Sequence, residues 1–351
     1  MPIARVKSVQ KTRRNILRSV AVALVFVPCR GLPRLAIRAE SRRLVKVTRT
    51  IPLGENMVPI QVSNDRLLEV VSLSSRPVSN VGIVDLRDGH VTLRSVWFSG
   101  AVNLRIISAT LSPSSDVLVS GAVIDANGAV AYFITRIDSG GSIHNEIRTN
   151  PFEVTAVCSL PEGTIATLGV SRKKGISDQY RVFRRWDWSK GLVGAAVPHE
   201  SFPLKTYSSS DRVPTAYLRC TGKRTIGFEP HTGSVLMIAD SDSGPLVVIP
   251  HYPMNRSVVF DGFEATDSKI YASAVSLDNM NHLRRDFLEV DISKLQTSVD
   301  WTILQTSTLS PANTHELSTL IGADDYDLIS YDRPAAGQVK NELQVSWLHL
   351  H

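Results

Sequence analysis

Ile106 to Ile147 reads IISATLSPSSDVLVSGAVIDANGAVAYFITRIDSGGSIHNEI. It holds four short runs of β-branched and apolar residues, divided by Ser-Pro-Ser-Ser-Asp, Asp-Ala-Asn-Gly and Asp-Ser-Gly-Gly. Each run has the length of a strand, roughly 5 to 8 residues, and each break supplies the Pro, Asn, Asp or Gly that a tight turn needs. Asp and Asn side chains hydrogen-bond their own backbone, and Gly takes φ > 0 without a steric penalty. The expectation is an antiparallel meander of four strands.

Six imperfect copies of that unit start near Met57, Val102, Phe152, Val213, Val258 and His315, at intervals of 45 to 61 residues. Four strands in that length are the content of one β-propeller blade. The turn between third and fourth strands is the best anchor. In GIVDLRDGHV, ITRIDSGGSI, FRRWDWSKGL and FLEVDISKLQ an apolar strand ends in Asp85, Asp138, Asp187 or Asp291. These acids are expected to cap turns rather than to catalyse. The last copy supplies only three strands, while Arg43–Pro52 (RLVKVTRTIP) is a strand-like run outside the copies. The economical solution has this run complete the last blade. No stretch keeps a helical period beyond a turn or two, the segment Ile292–Trp301 being good for a single turn. The expected fold is all-β: a propeller of six four-stranded blades closed by an N-terminal strand, or of seven if a further blade occupies 195–235.

From about residue 45 to 351 the chain resembles, at superfamily level, the quinoprotein-like and Trp-Asp-repeat propellers. It departs from both. Trp186-Asp187 is a single instance rather than one per blade, and the tryptophan docking motif of the quinone-cofactor enzymes is missing. No cofactor is therefore expected.

The formal net charge is +6, which would invite a nucleic-acid reading. The charge is not in the body. Residues 1–39 carry nine Lys or Arg and no Asp or Glu, which leaves 30 basic against 33 acidic residues over 40–351, a net of −3. Nucleic acid is thus an unfavoured partner. Thr12-Arg13-Arg14-Asn15-Ile16-Leu17-Arg18 precedes the apolar run SVAVALVFVP, the order of a secretory leader. That run is shorter than the about 20 residues a membrane span requires, so no stable membrane span is expected. Arg13-Arg14, one polar residue, two apolar residues and a base resemble a twin-arginine signal. The division expected is a leader over 1–39 and one propeller domain over 40–351. The resemblance implies bacterial export to the periplasm or beyond, with cytoplasmic residence as the alternative. A monomer is expected.

Cys29 falls in the leader, and Cys158 and Cys220 lie in the apolar runs TAVCSL and AYLRC. The residues favour two buried small hydrophobes over a bridge. No pair has Cys-x-x-Cys spacing, so no metal site is expected. Dinucleotide, phosphate-loop, zinc-protease and serine-hydrolase motifs are absent too.

What remains is the polar loop set on one face of the ring: strand two to three, and blade to blade. It includes 171–179, 251–256 and 278–286. The residues expected to contact a ligand are His251, Arg256, Asp278, His282, Arg284 and Arg285, whose cationic surplus suits an anionic or glycan-like ligand. Two functions are carried forward. The first is an exported binding or interaction protein whose ligand is a protein, peptide or polysaccharide. The alternative is a hydrolase or lyase on a carbohydrate, lactone or peptide, its residues gathered from several blades.

Overall fold

The computed structural model describes residues 45–53, 57–71, 76–112, 116–138, 142–172, 182–196, 217–222, 224–230, 233–239, 246–249, 258–277, 283–295, 299–309, 318–324, 326–332 and 342–350. They belong to one compact unit, Glu40–His351. Arg13, Arg14 and the rest of the expected leader lie outside the described residues.

Strand β1 (Val45–Pro52) precedes six sets of strands. Blade 1 is β2 (Met57–Ser63), β3 (Arg66–Val71), β4 (Val78–Asp85) and β5 (Val91–Trp97). Blade 2, the stretch that decided the fold, is β6 (Ala101–Leu111), β7 (Val117–Asp125), β8 (Val130–Ile137) and β9 (Ile143–Arg148). Blade 3 is β10 (Phe152–Ser159), β11 (Ile165–Ser171), β12 (Val182–Asp187) and β13 (Gly191–Ala196). Blade 4 is β14 (Tyr217–Cys220), β15 (Arg224–Glu229), β16 (Ser234–Ala239) and β17 (Leu246–Ile249). Blade 5 is β18 (Val259–Ala265), β19 (Lys269–Leu277), β20 (Leu283–Asp291) and β21 (Thr302–Leu309). Blade 6 takes β22 (Ser318–Ala323), β23 (Asp327–Asp332) and β24 (Glu342–His349) from the end of the chain. Its fourth strand is β1, antiparallel to β24 from Val45↔His349 to Pro52↔Glu342. The count is six, and β14 starts blade 4 within the stretch where a seventh was weighed.

The first strands stand side by side in the order β2, β6, β10, β14, β18, β22 and back to β2, closing a ring around a channel. This is a six-bladed β-propeller. Apolar residues on both faces of each blade pack against the neighbouring blades, because twisted sheets radiating from an axis must cover both faces. The result is six separate cores, one per seam. Leu118, Ile134 and Phe152 fill the seam between blades 2 and 3, and Phe228, Phe260 and Phe263 that between blades 4 and 5. Ile51 of β1 joins Val62 and Val345 where blade 6 meets blade 1.

The turn acids cap as expected. Oδ1 of Asp85, Asp138, Asp187 and Asp291 accepts from the backbone N–H of Arg87 (2.9 Å), Ser142 (2.8 Å), Ser189 (2.8 Å) and Ser293 (2.9 Å). Hydrogen bonds from the Arg87 guanidinium and the Ser189 and Ser293 hydroxyls, with those backbone donors, hold Asp85, Asp187 and Asp291 below the usual carboxylate range. Gly89 and Gly191 sit in these turns at φ +75°, where a Cβ would be strained. Among the described residues the one turn of helix is a 3-10 turn at Ile292–Lys294, capped by Asp291.

One expectation is overturned. Cys158 and Cys220 form a disulfide, with Cα atoms 5.6 Å apart. Their runs are the first strands of blades 3 and 4, which neighbour each other in the ring, so strand-like burial and bridging are compatible. Among the described residues no helix is long and apolar enough to cross a membrane.

Candidate functional site

Five of the six first strands carry a register shift halfway along, skipping Ile60, Ile107, Thr155, Asp261 and Ile321 in their pairing with the second strand. A bulge re-aims the skipped side chain. All five line a central cavity of about 170 Å³. Four of the five blades place Ile or Thr there. Blade 5 places an acid.

Asp261 is held tightly. Its Oδ1 accepts from Ser273 Oγ at 2.8 Å and from Arg285 Nη1 at 2.5 Å, and its Oδ2 from Thr319 Oγ1 at 3.3 Å. Arg285 lies on the third strand of blade 5 and reaches inward across β19, at the seam with blade 6. Sequence reasoning placed Arg284 and Arg285 in a loop; β20 begins at Leu283, so strand alternation sends them to opposite faces. Arg284 donates to Asp286 at 2.8 Å and to Thr306 at 3.2 Å. His251, Arg256, Asp278 and His282 lie outside the described residues.

The strand-one-to-two turns gather at the lower mouth, opposite the face chosen from the sequence. Here a cavity of about 500 Å³ is lined by Gln61, Asn64, Asp65, Ser159, Arg219, Glu264, Asp324, Asp327 and Trp347. The Cys158–Cys220 bridge forms part of its wall. Arg219 on β14 and Glu264 on β18 join blades 4 and 5 through two parallel hydrogen bonds, Nε to Oε2 at 2.8 Å and Nη2 to Oε1 at 2.6 Å. Burial pushes the Glu264 carboxyl up, an effect Arg219 offsets in part. Gln61 Oε1 accepts from Thr110 Oγ1 at 2.8 Å and from Leu111 N at 3.2 Å, joining blades 1 and 2. Asp327 pairs with His349. Among the described residues no group of three His, Cys, Asp or Glu has the geometry of a metal site.

Part of the upper face is described as well. A cleft of about 390 Å³ between blades 2 and 3 is lined by Asn103, Arg105, Tyr132, Glu153 and Arg172. Arg172 Nε donates to Glu153 at 2.5 Å, and burial raises the Tyr132 hydroxyl pKa, with Glu153 adding to it.

Sequence reasoning passed over Arg219, Glu264 and Asp261. All three lie in apolar strand runs, YLRC and VFDGFEA, rather than in polar loops. A charged residue inside such a run is itself the signal, because an unpaired buried charge is not tolerated.

No family model matches the chain, and no curated protein matches it. Solved structures do. A protein of unknown function from Dyadobacter fermentans gives a TM-score of 0.52 at 11% identity, covering 88% of this chain and 100% of its own. The likeness is one of fold. A puromycin hydrolase is similar with a TM-score of 0.45 and 11% identity, over 80% of this chain and 42% of its own. A GH43_1 enzyme from Xanthomonas citri complexed with xylose has a TM-score of 0.37 and 11% identity, over 78% and 92%. At these identities a likeness of structure does not carry an activity with it.

Proposed function

We propose that this chain is an exported propeller that binds a protein, peptide or polysaccharide at the mouth of its channel. The observation that carries this reading is the pairing of three of the acids around the channel with basic side chains. Arg219 with Glu264 and Arg285 with Asp261 neutralise one another, and His349 hydrogen-bonds Asp327. A general acid or nucleophile needs a group directed at the substrate, whereas paired charges in a rigid wall suit recognition. Rigid blades that present turns of differing composition are the scaffold binding demands.

Export is supported by two independent features. Disulfides persist in oxidising compartments, and Cys158–Cys220 joins two neighbouring first strands. The Arg13-Arg14 leader resembles the signal of a route that carries folded proteins. Replacing Arg13 and Arg14 together by Lys should retain the protein in the cytoplasmic fraction of a bacterial host; unchanged export would sink the twin-arginine route. For the ligand, the full-chain protein recovered after export is applied to glycan and peptide arrays, alongside chromogenic ester and glycoside substrates. Binding without turnover is expected. Turnover abolished by Asp324→Asn or Asp65→Asn would overturn the binding reading in favour of a hydrolase.

A further inference from the structure

Arg285 has a feature that no other described arginine shares. Its Nε and Nη2, the two donors along one edge of the guanidinium, are both buried without an acceptor. The side chain is 2% exposed, and Nη1 is committed to Asp261. Arg219 shows what this edge is shaped for: its own Nε and Nη2 are filled by the two oxygens of Glu264. Buried donors are matched in nearly all native structures, so a pair left open at one guanidinium asks for a partner. The partner that fits a planar two-donor edge is an oxyanion, carboxylate, sulfate or phosphate.

The surroundings agree. Asp261 is the one acid among the five bulged residues, and with donors from Ser273, Thr319 and Arg285 its own acceptors are engaged. It therefore fixes the guanidinium rather than a ligand. Asp261, Thr319 and Tyr331 line the central cavity, and Arg285, bonded to Asp261 through Nη1, stands behind that lining.

We propose that Arg285 is an oxyanion-recognition residue of the channel, taking a carboxylate, sulfate or phosphate group between blades 5 and 6. For a ligand-borne group this rests on the binding function above; for a free ion it does not.

The test is thermal unfolding of the full-chain protein at pH 7 in acetate, sulfate or phosphate, each against chloride at equal ionic strength. Wild type is compared with Arg285→Lys, which keeps the charge and loses the fork. A second comparison is Asp261→Asn with Arg285→Gln, which leaves no lone buried charge and so keeps the fold. The expected result is a saturable rise in Tm for wild type, about 4 °C at roughly 100 times the Kd. It should be at least halved in Arg285→Lys and lost in the double variant. No rise beyond chloride, or an equal rise in all three proteins, would overturn the proposal. A uronate oligosaccharide in a parallel arm separates the sources: tighter action than acetate marks a ligand-borne group, equal action a free ion. Array ligands that bind wild type and Arg285→Lys alike, with no oxyanion effect, would remove this inference and leave the binding function standing. An Arg285-dependent oxyanion effect without any array ligand would do the reverse.

Discussion

The double substitution Cys158→Ala with Cys220→Ala removes a cross-link between neighbouring blades while leaving every strand in place. The bridged residues are 62 apart in sequence. Closing a loop of that length in the unfolded chain lowers its entropy enough to stabilise the fold by about 4 kcal/mol at 25 °C. Spread over the unfolding entropy of a unit the size of Glu40–His351, this corresponds to a fall in Tm of roughly 6 °C. The seam keeps its other contacts, since Ala156, Leu168, Phe183, Leu218 and Leu236 still pack there. Differential scanning calorimetry of wild type, the double variant and wild type in reductant makes the comparison. The variant and the reduced wild type should coincide, and reductant should leave the variant unmoved. A loss below about 2 °C would refute the reasoning, because it would mean the unfolded chain does not gain the freedom that the bridge is argued to withhold.

The Arg219–Glu264 bridge gives a second outcome. Glu264→Gln leaves a buried guanidinium without its counter-charge and should cost about 3–5 kcal/mol, while Arg219→Met with Glu264→Leu should recover most of it by replacing the pair with packing groups. Urea unfolding of both proteins decides, and equal losses would mean that the pair is not coupled. The turn acids predict a pH dependence. Asp187 and Asp291 have folded pKa values below the ordinary value of 3.8, so each stabilises the fold above about pH 4 and loses that contribution as pH falls through its depressed value. The Tm difference between wild type and Asp187→Asn should therefore be constant from pH 7 to pH 5 and shrink below pH 4; a difference that changes between pH 7 and pH 5 would contradict the assignment.

The ring was legible because each blade repeats the same punctuation. Gly, Asn and Asp turns are local chemistry, and the strand starts expected at Met57, Val102, Phe152, Val213, Val258 and His315 lie within four residues of those found. The bridge was not legible, because Cys158 and Cys220 read locally as strand residues and their proximity depends on blades 3 and 4 being neighbours. The same limit hid Arg219, Glu264 and Asp261, whose partners lie 45 residues or, for Asp261 and Thr319, 58 residues away. Arg285 stood out as one of two adjacent arginines, but its burial and its direction follow from β20 starting at Leu283, a boundary that loop composition does not reveal. His251, Arg256, Asp278 and His282 lie outside the described residues.

The pairing of β1 with β24 has a consequence for the order of events on the ribosome. Pro52 is made long before its partner Glu342, and at about 5–20 residues per second the interval is roughly 15–60 s. Through that time β1 is a strand with both edges open, the kind of segment that recruits other chains. Its sequence, VKVTRTIP, answers the hazard locally. Lys46 and Arg49 put charge on the strand, and Pro52 withholds a backbone donor at its end, devices that oppose pairing elsewhere until β24 is made.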